Sequence, residues 1–444
     1  MGRFKDDPRA DWLPFEEALD RIMACVVPLA AETCPTGDSL GRVLSADIHA
    51  LLTLPPWDNS GMDGFAVRAV DVESATPETP VSLDVVGSSL PGAPWTGTVA
   101  EGQAIRIMTG GPVPGGASTI VRVEDTDGGE EGTVRVTAAP EVGRHIRPRG
   151  EDMVEGDRVL TDGTWLGAGA LAVLEGMGLH TVPVRRRPRV AILTTGDELE
   201  AVTPGRRPWS DDTVPDTNSP TLARAVEAAG GVAVPLGIAR DSMADLRAAL
   251  ARLQEAQVDV VLTTGGASMG VADLVKGVLE EAGLELDFWR TRIRPGSPFS
   301  FGRLPRDPNA PALPGQDHPI FVFGLPGNPV SSFVTYQVLA QPFILGLSGL
   351  ANCFRPVIPA RVAGSLAGAK DLALFLRVTL VPGEDGYEAV PTGAQGSGLL
   401  HSLGTAQGLA VLPRGVSRLE SGDPVRVVLL GDRVPPMPRI PLDP

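Results

Sequence analysis

From residue 189 to about 350 the chain alternates short apolar runs with capped, helix-like segments. RVAILTTG, VAVPLGI, VDVVLTTGG, FSFGRL and IFVFGLPGNP read as strands. Between them, Ser219-Pro220 reads as an N-cap followed by proline at N1, and Gly230-Gly231 as the end of that helix. Ser242 with Asp245 three residues on reads as the cap of a second helix. Further helices are expected near 271–283 and from about 330. Such alternation specifies a doubly wound, mainly parallel α/β sheet, whose ligands bind outside the carboxyl ends of the strands.

Three of those strand ends carry suitable loops. One is TTGDE, with Asp197 and Glu198. The second is TTGGASMGVAD, with Gly265, Gly266, Ser268 and Asp273. The third is GLPGNPVSS, with Gly324, Gly327, Asn328 and Ser331. Glycine lets backbone N–H groups approach an anion, and the helix that follows favours negative charge. Tight βα turns also use glycine, so it is the convergence of three loops on one sheet edge that points to a ligand.

The rest of the chain has a different texture. Phe15, Leu19, Ile22, Met23 and Val26 form one stripe of a helix over 15–27. Short β-like runs broken by glycine fill 75–146 and suggest an inserted β domain. A helix is expected over 166–177, a solvated Pro-rich loop over 304–319, and β structure again beyond 352, ending in an extended tail, VPPMPRIPLDP. GAGALA at 167–172 resembles a dinucleotide fingerprint, but TDGTWL before it is a poor strand, so it reads as a helix start. Neither a GxxxxGK[ST] loop nor a GxSxG elbow is present, and Arg185–Arg187 need no ligand.

Two further segments concentrate charge in shaped loops. PPWDNSGMDGFAV places Asp58 and Asp63 among prolines and glycines, with Trp57 and Phe65 available to pin the loop to a core. A capped turn explains such residues equally well. GRHIRPRGEDM sets Arg144, Arg147 and Arg149 beside Glu151 and Asp152. That pattern suits an anion handled with a divalent cation, although self-neutralising charge runs are the commoner case.

Bulk properties narrow the function classes. A length of 444 residues implies about three domains. The net charge of −16 disfavours nucleic acid or an anionic membrane as a partner. Cys25, Cys34 and Cys353 form no CxxC and no even framework, and the five histidines are scattered. A structural zinc and a histidine metal centre are therefore not expected, and the cytoplasm is the expected compartment. The N-terminus has no apolar signal core, and no membrane-spanning run is expected.

With these motifs in place, the chain resembles the molybdopterin molybdenumtransferase family, the bacterial molybdenum-insertion enzymes related to the E domain of gephyrin. The resemblance runs from about 12 to 430 and is carried by PPWDNSGMDGFAVR, RIMTGGPVP, IRPRGEDM, LTTGDEL, DTNS, LTTGGASMGVAD, RPGSPFSFG, GLPGNPVSS and GAQGSG. It implies a multidomain α/β plus β chain. Domain I would comprise 12–50 and 147–184, domain II an inserted β domain at 51–146, domain III the doubly wound domain at 185–350, and domain IV a C-terminal β domain at 351–444. It implies a homodimer whose cleft is shared, with Asp63 carried to the partner's sheet-end loops. The implied reaction converts adenylylated molybdopterin and molybdate to molybdenum cofactor and AMP with Mg²⁺.

By motif match the resemblance assigns Asp63, Asp152, Glu198, Asp241, Asp273 and Thr109 to catalysis, with Asp152, Glu198 and Asp273 as metal ligands. Asp241 could instead be only a helix cap. Gly265, Gly266, Ser268, Gly324, Gly327, Asn328, Ser331 and Arg149 would hold the pterin substrate. Molybdate would meet Arg294, Ser297, Arg377 and Ser397. Here the family's KPGKP reads Arg294-Pro-Gly-Ser297-Pro, and Gly398 stands where histidine is frequent. A separate adenylyltransferase protein would supply the substrate, and molybdoenzymes or their chaperones would receive the product. The rival readings are a molybdopterin adenylyltransferase and a non-enzymatic scaffold.

Overall fold

The computed structural model describes residues 11–129, 132–202, 205, 212–265, 271–383 and 386–431, with the backbone alone at 271–273. The chain falls into two compact units. One comprises Met1–Ser45, Gly163–Leu171 and His180–Pro444, and the other Ala46–Asp162 and Ala172–Leu179.

The first unit is built on a six-stranded sheet. Val232–Ala239, Arg189–Thr195, Val260–Thr264 and Ile320–Leu325 run parallel, and Ser300–Leu304 and Glu285–Phe288 add an antiparallel edge. Alternate side chains feed cores on both faces. Val190, Ile192, Leu262 and Phe323 join one core, and Ala191, Val261 and Val322 the other. Burial on both faces explains why the strands read as continuous apolar runs. Arg189–Thr195 lies between its sequence successor Val232–Ala239 on one side and Val260–Thr264 on the other. The chain therefore reverses its winding between the Thr195 and Thr264 ends, where open α/β sheets place their ligand crevice.

The helices are close to expectation, with informative differences. Phe15–Met23 buries Ala18 and Ile22, and Val26 lies past its end. Ala168–Gly176 is the helix expected from GAGALA. Ser242 does cap Met243–Glu255, its Oγ accepting from the Asp245 amide at 3.1 Å. Ser219 does not cap its helix. Asn218–Ala228 starts two residues before Pro220, and the Asp216 carboxylate accepts the Ser219 N–H at 3.0 Å. Pro329–Leu347 is long and apolar enough to cross a membrane, but 89% of that stretch is buried inside the protein. It is a core helix, with Val330, Val334, Leu339 and Phe343 packed against the sheet.

The 304–319 stretch is more than a solvated loop. Arg306, Gln316 and His318 turn in on Asp259, which is fully buried. The Arg186 guanidinium grips the same carboxylate through two hydrogen bonds of 2.8 and 2.9 Å. Burial pushes the Asp259 carboxyl up, but the donors from Arg186, His318 and the Arg189 amide outweigh it and hold it below the usual carboxylate range.

The C-terminal β region closes on itself. Ala373–Gly383, Gly386–Pro391, Val357–Val362, Pro424–Leu429 and Gly408–Leu412 pair in ring order, and the last returns to the first. Closure leaves the barrel without a free edge. The tail beyond 431 lies outside the described residues.

The second unit holds a five-stranded sheet in the order Thr119–Arg122, Gly64–Val67, Gln103–Ile107, Val81–Ser89 and Thr133–Val136. Phe65 is buried in its core, whereas Trp57 is 51% exposed, so only one of the two aromatics pins the PPWDNSGMDGFAV loop.

Candidate functional site

At the reversal point the first unit carries a cavity of about 850 Å³. Sequence-predicted residues from five segments line it: Glu198, Gly265, Arg294 with Ser297, Gly327 with Asn328 and Ser331, and Ser397. The close approach of the strand ends requires glycine at 265. Its φ is +98°, and a Cβ there would lie 2.1 Å from the Thr195 carbonyl oxygen. Gly324 serves a different need and does not line the cavity. A Cβ on it would meet Ser300 Oγ at 2.2 Å across the neighbouring strand.

The RPGSP loop is joined to the barrel. Ile293–Arg294 pairs in parallel with Ala373 and Leu374. Ser397 is tied to the third sheet-end loop, its carbonyl accepting the Val330 N–H at 3.1 Å and its Oγ accepting from Asn328 Nδ2 at 3.0 Å. Ser297 Oγ donates to the Ile293 carbonyl at 2.5 Å, so its proton is committed to the turn. Arg294 is exposed and is the one cation among the described residues that line the cavity.

Arg377 stands behind that wall and does not line it. Its side chain is fully buried, and Nη2 donates to the carbonyls of Ala394 and Gly396 at 3.2 and 3.1 Å. Nε and Nη1 have no partner among the described residues. Burial lowers the guanidinium pKa below its ordinary value. A buried cation with two unsatisfied donors is costly and calls for an anion or water.

An acidic group flanks the first strand end. The Asp241 amide donates to Asp197 Oδ1 at 3.1 Å, while Asp241 Oδ1 is buried without a partner among the described residues. Burial raises the Asp241 pKa, and the charges of Asp197 and Glu198 raise it further. Asp241 is not the helix cap, since Ser242 is. No three metal-ligating side chains converge among the described residues. Mg²⁺ commonly takes only one or two carboxylates and completes its shell with water and phosphate, so the hard oxygens of Glu198 and Asp241, one of them orphaned, suit it. Gly266 and Ser268 lie outside the described residues, and Asp273 is described by its backbone alone, in Val271–Glu281.

Sequence reasoning gave no role to Asp216 and Asn218, although DTNS was among its motifs. Asp216 is buried and takes donors from Thr194 Oγ1 at 2.9 Å and Ser219 Oγ at 2.5 Å. Asn218 Nδ2 donates to Thr264 Oγ1 at 3.2 Å and to the Gly327 carbonyl at 2.7 Å, clamping two strand-end loops together.

In the second unit, Thr109 donates to Asp63 Oδ1 twice, from its amide at 2.7 Å and its hydroxyl at 2.8 Å. Those bonds, the amide first, lower the Asp63 pKa. Arg149 and Asp152 are exposed on the adjoining turn, where the Arg149 amide donates to Asp58 Oδ1 at 2.7 Å. Asp58 is therefore the turn residue, and Asp63 the one held outward by Thr109.

Known families match most of this chain. Residues 13–178 match the MoeA N-terminal region (domain I and II), 191–346 a probable molybdopterin binding domain, and 359–430 the MoeA C-terminal region (domain IV). Molybdopterin molybdenumtransferase 2 of Mycobacterium tuberculosis is 35% identical over 401 residues, covering 89% of this chain and 94% of that protein. The molybdopterin molybdenumtransferase of Haemophilus influenzae is 33% identical over 90% of this chain and 94% of its own length. Among solved structures, the molybdopterin biosynthesis MoeA protein of Pyrococcus horikoshii superposes with a TM-score of 0.75 at 30% identity, covering 95% of this chain and all of that one. A second structure of the MoeA protein from Pyrococcus horikoshii gives a TM-score of 0.80 at 26% identity. The chain belongs to the molybdopterin molybdenumtransferase family.

Proposed function

We propose that this enzyme inserts molybdenum from molybdate into adenylylated molybdopterin, with Mg²⁺, releasing AMP. The observation that carries the reading is the buried, half-satisfied Arg377 behind a wall whose open side presents Arg294 and Ser397. A small oxyanion is the ligand such a pair of guanidiniums favours. The glycine-lined strand ends at Gly265 and Gly327 suit the pterin phosphate, and the exposed Glu198 sits at the rim where a pyrophosphate-like linkage needs a metal. Magnesium, when bound, would neutralise that linkage and polarise it for cleavage. Glu198 and Asp241 would hold it, with Asp152 and Asp273 as further candidates.

The enzyme works, in this reading, as a cytoplasmic homodimer in which Asp63 and Thr109 of a second copy complete each site. A separate adenylyltransferase supplies the substrate, and molybdoenzymes or their chaperones take the product. The three free cysteines accord with a reducing compartment.

The test supplies adenylylated molybdopterin and molybdate, with and without Mg²⁺, and follows AMP by chromatography. AMP release that needs both molybdate and Mg²⁺ is expected. Pyrophosphate from ATP and molybdopterin would instead reveal an adenylyltransferase. For the shared site, Asp63→Ala and Asp273→Ala subunits are mixed. Partial recovery is expected, because one site of the mixed dimer keeps both acids. Light scattering that shows only monomer, or no recovery despite proven exchange, would rule sharing out.

A further inference from the structure

The cavity wall holds a neutral carbonyl acceptor whose orientation is fixed. Asn218 opens the helix Asn218–Ala228, lines the cavity and is 8% exposed. Its amide orientation follows from Gly327, since a carbonyl oxygen can only accept and must face the NH₂ group. The second amide proton goes to Thr264 Oγ1. Both protons are thus committed, and the remaining Oδ1 is an acceptor with no hydrogen-bond partner among the described residues, on a side chain that lines the cavity. The neighbouring Asp216 cannot play this part. Its Oδ1 takes the Ser219 amide, and its Oδ2 takes the hydroxyls of Thr194 and Ser219.

An immobilised carbonyl acceptor repels phosphate and oxyanion oxygens. It rewards an N–H or O–H donor, and a site built to pair with a donor rejects the analogue that lacks it. We propose that Asn218 Oδ1 is a specificity-determining acceptor that reads a neutral donor of the bound pterin nucleotide, either a ring amine or a ribose hydroxyl. This rests on the function proposed above, because that reading supplies a substrate with such donors. It adds that the clamp on Gly327 and Thr264 and the substrate reader are the same side chain. The loops would then be set in place by the residue that checks what they hold.

The test compares paired probes that differ in the donor, by calorimetry on the full-length protein. The pairs are AMP against inosine monophosphate, AMP against 2′-deoxy-AMP, and 6-hydroxymethylpterin against 6-hydroxymethyllumazine. Wild type is expected to bind the donor-bearing member of one pair about five- to tenfold more tightly. Which pair responds identifies the donor. Asn218→Ala should bring that ratio to about one. Asn218→Asp keeps an acceptor, so it should keep the ratio while losing affinity for anionic probes, as its carboxylate faces the Gly327 carbonyl. A purely structural role would change affinities without moving the ratio. No preference in wild type, or a preference that survives Asn218→Ala, overturns the proposal and leaves the proposed function standing. Wild type that binds no nucleotide and no pterin overturns both. Where Asn218→Ala does not fold, Asn218→Leu, of similar size and without an acceptor, takes its place and should likewise bring the ratio to about one.

Discussion

Arg377 donates from Nη2 to the Gly396 carbonyl at 3.1 Å, while two other nitrogens of its guanidinium are buried with no partner among the described residues. The bond fixes the loop that carries Ser397. The unpaired nitrogens keep a positive charge behind the cavity wall, and no carboxylate pairs with it among the described residues. A group retained for fold alone would be better replaced by an apolar side chain of similar volume, which is often neutral or stabilising for buried charges.

Arg377→Met should therefore hold or raise the melting temperature. It should also raise the molybdate concentration for half-maximal activity by about tenfold, equivalent to about 1.4 kcal/mol. Calorimetric melting and a molybdate titration at fixed pterin check the two halves. A large fall in melting temperature with unchanged molybdate dependence would make Arg377 a structural residue only.

Asp259 gives the opposite case, a buried charge that is fully answered. Removing its charge leaves Arg186 buried and uncompensated, so Asp259→Asn should cost about 3–5 kcal/mol. The folded carboxyl lies below its ordinary range. Its contribution is thus present above the unfolded value of about 3.9 and is lost only as pH falls through the lower, folded value. The gap in melting temperature between wild type and Asp259→Asn should stay constant from about pH 8 to pH 5 and narrow only in strong acid.

Asp241 has the reverse sign. Burial and the charges of Asp197 and Glu198 raise its folded pKa, so the ionised form weakens the fold at neutral pH, and the penalty fades as pH falls and the group protonates. Asp241→Asn should raise the metal-free melting temperature at pH 7 and lose that advantage in acid. Mg²⁺ with a phosphate ligand should stabilise wild type more than the variant. Equal stabilisation of both would remove Asp241 from the metal site.

The doubly wound sheet was legible because each strand is apolar on both faces and each loop is punctuated by Gly, Pro or a cap. The glycine loops were legible because the φ of +98° at Gly265 is one that other residues rarely adopt. Gly324 read the same way in sequence, yet it serves strand packing against Ser300. The roles of Asn218 and Asp259 were not legible. Asn218 meets Gly327 across 109 positions, and Asp259 meets Arg186 across 73. No local pattern records such pairings, and Asn218 in a helix start or Asp259 before a strand looks like ordinary capping. The exposure of Trp57 was hidden too, because composition alone does not say which aromatic of a loop turns inward.

The RPGSP loop gives the last prediction. Ser297 spends its proton on the Ile293 carbonyl, so it offers the cavity only an acceptor, and Arg294 is left as the one lining cation among the described residues. A charge-assisted hydrogen bond is roughly twice as strong as a neutral one. Ser297→Lys should lower the molybdate needed for half-maximal activity about five- to tenfold, or about 1–1.4 kcal/mol. The lost turn bond, worth about 1 kcal/mol, lowers the stability of the fold and not the affinity for molybdate. Arg294→Ala should raise the molybdate requirement and leave binding of the adenylylated pterin nearly unchanged, because Gly265 and Gly327 lie on other loops. Cofactor formation against molybdate at fixed pterin measures both. If Ser297→Lys has no effect while Arg294→Ala abolishes pterin binding, Arg294 holds the pterin phosphate, and the oxyanion site does not lie on this loop.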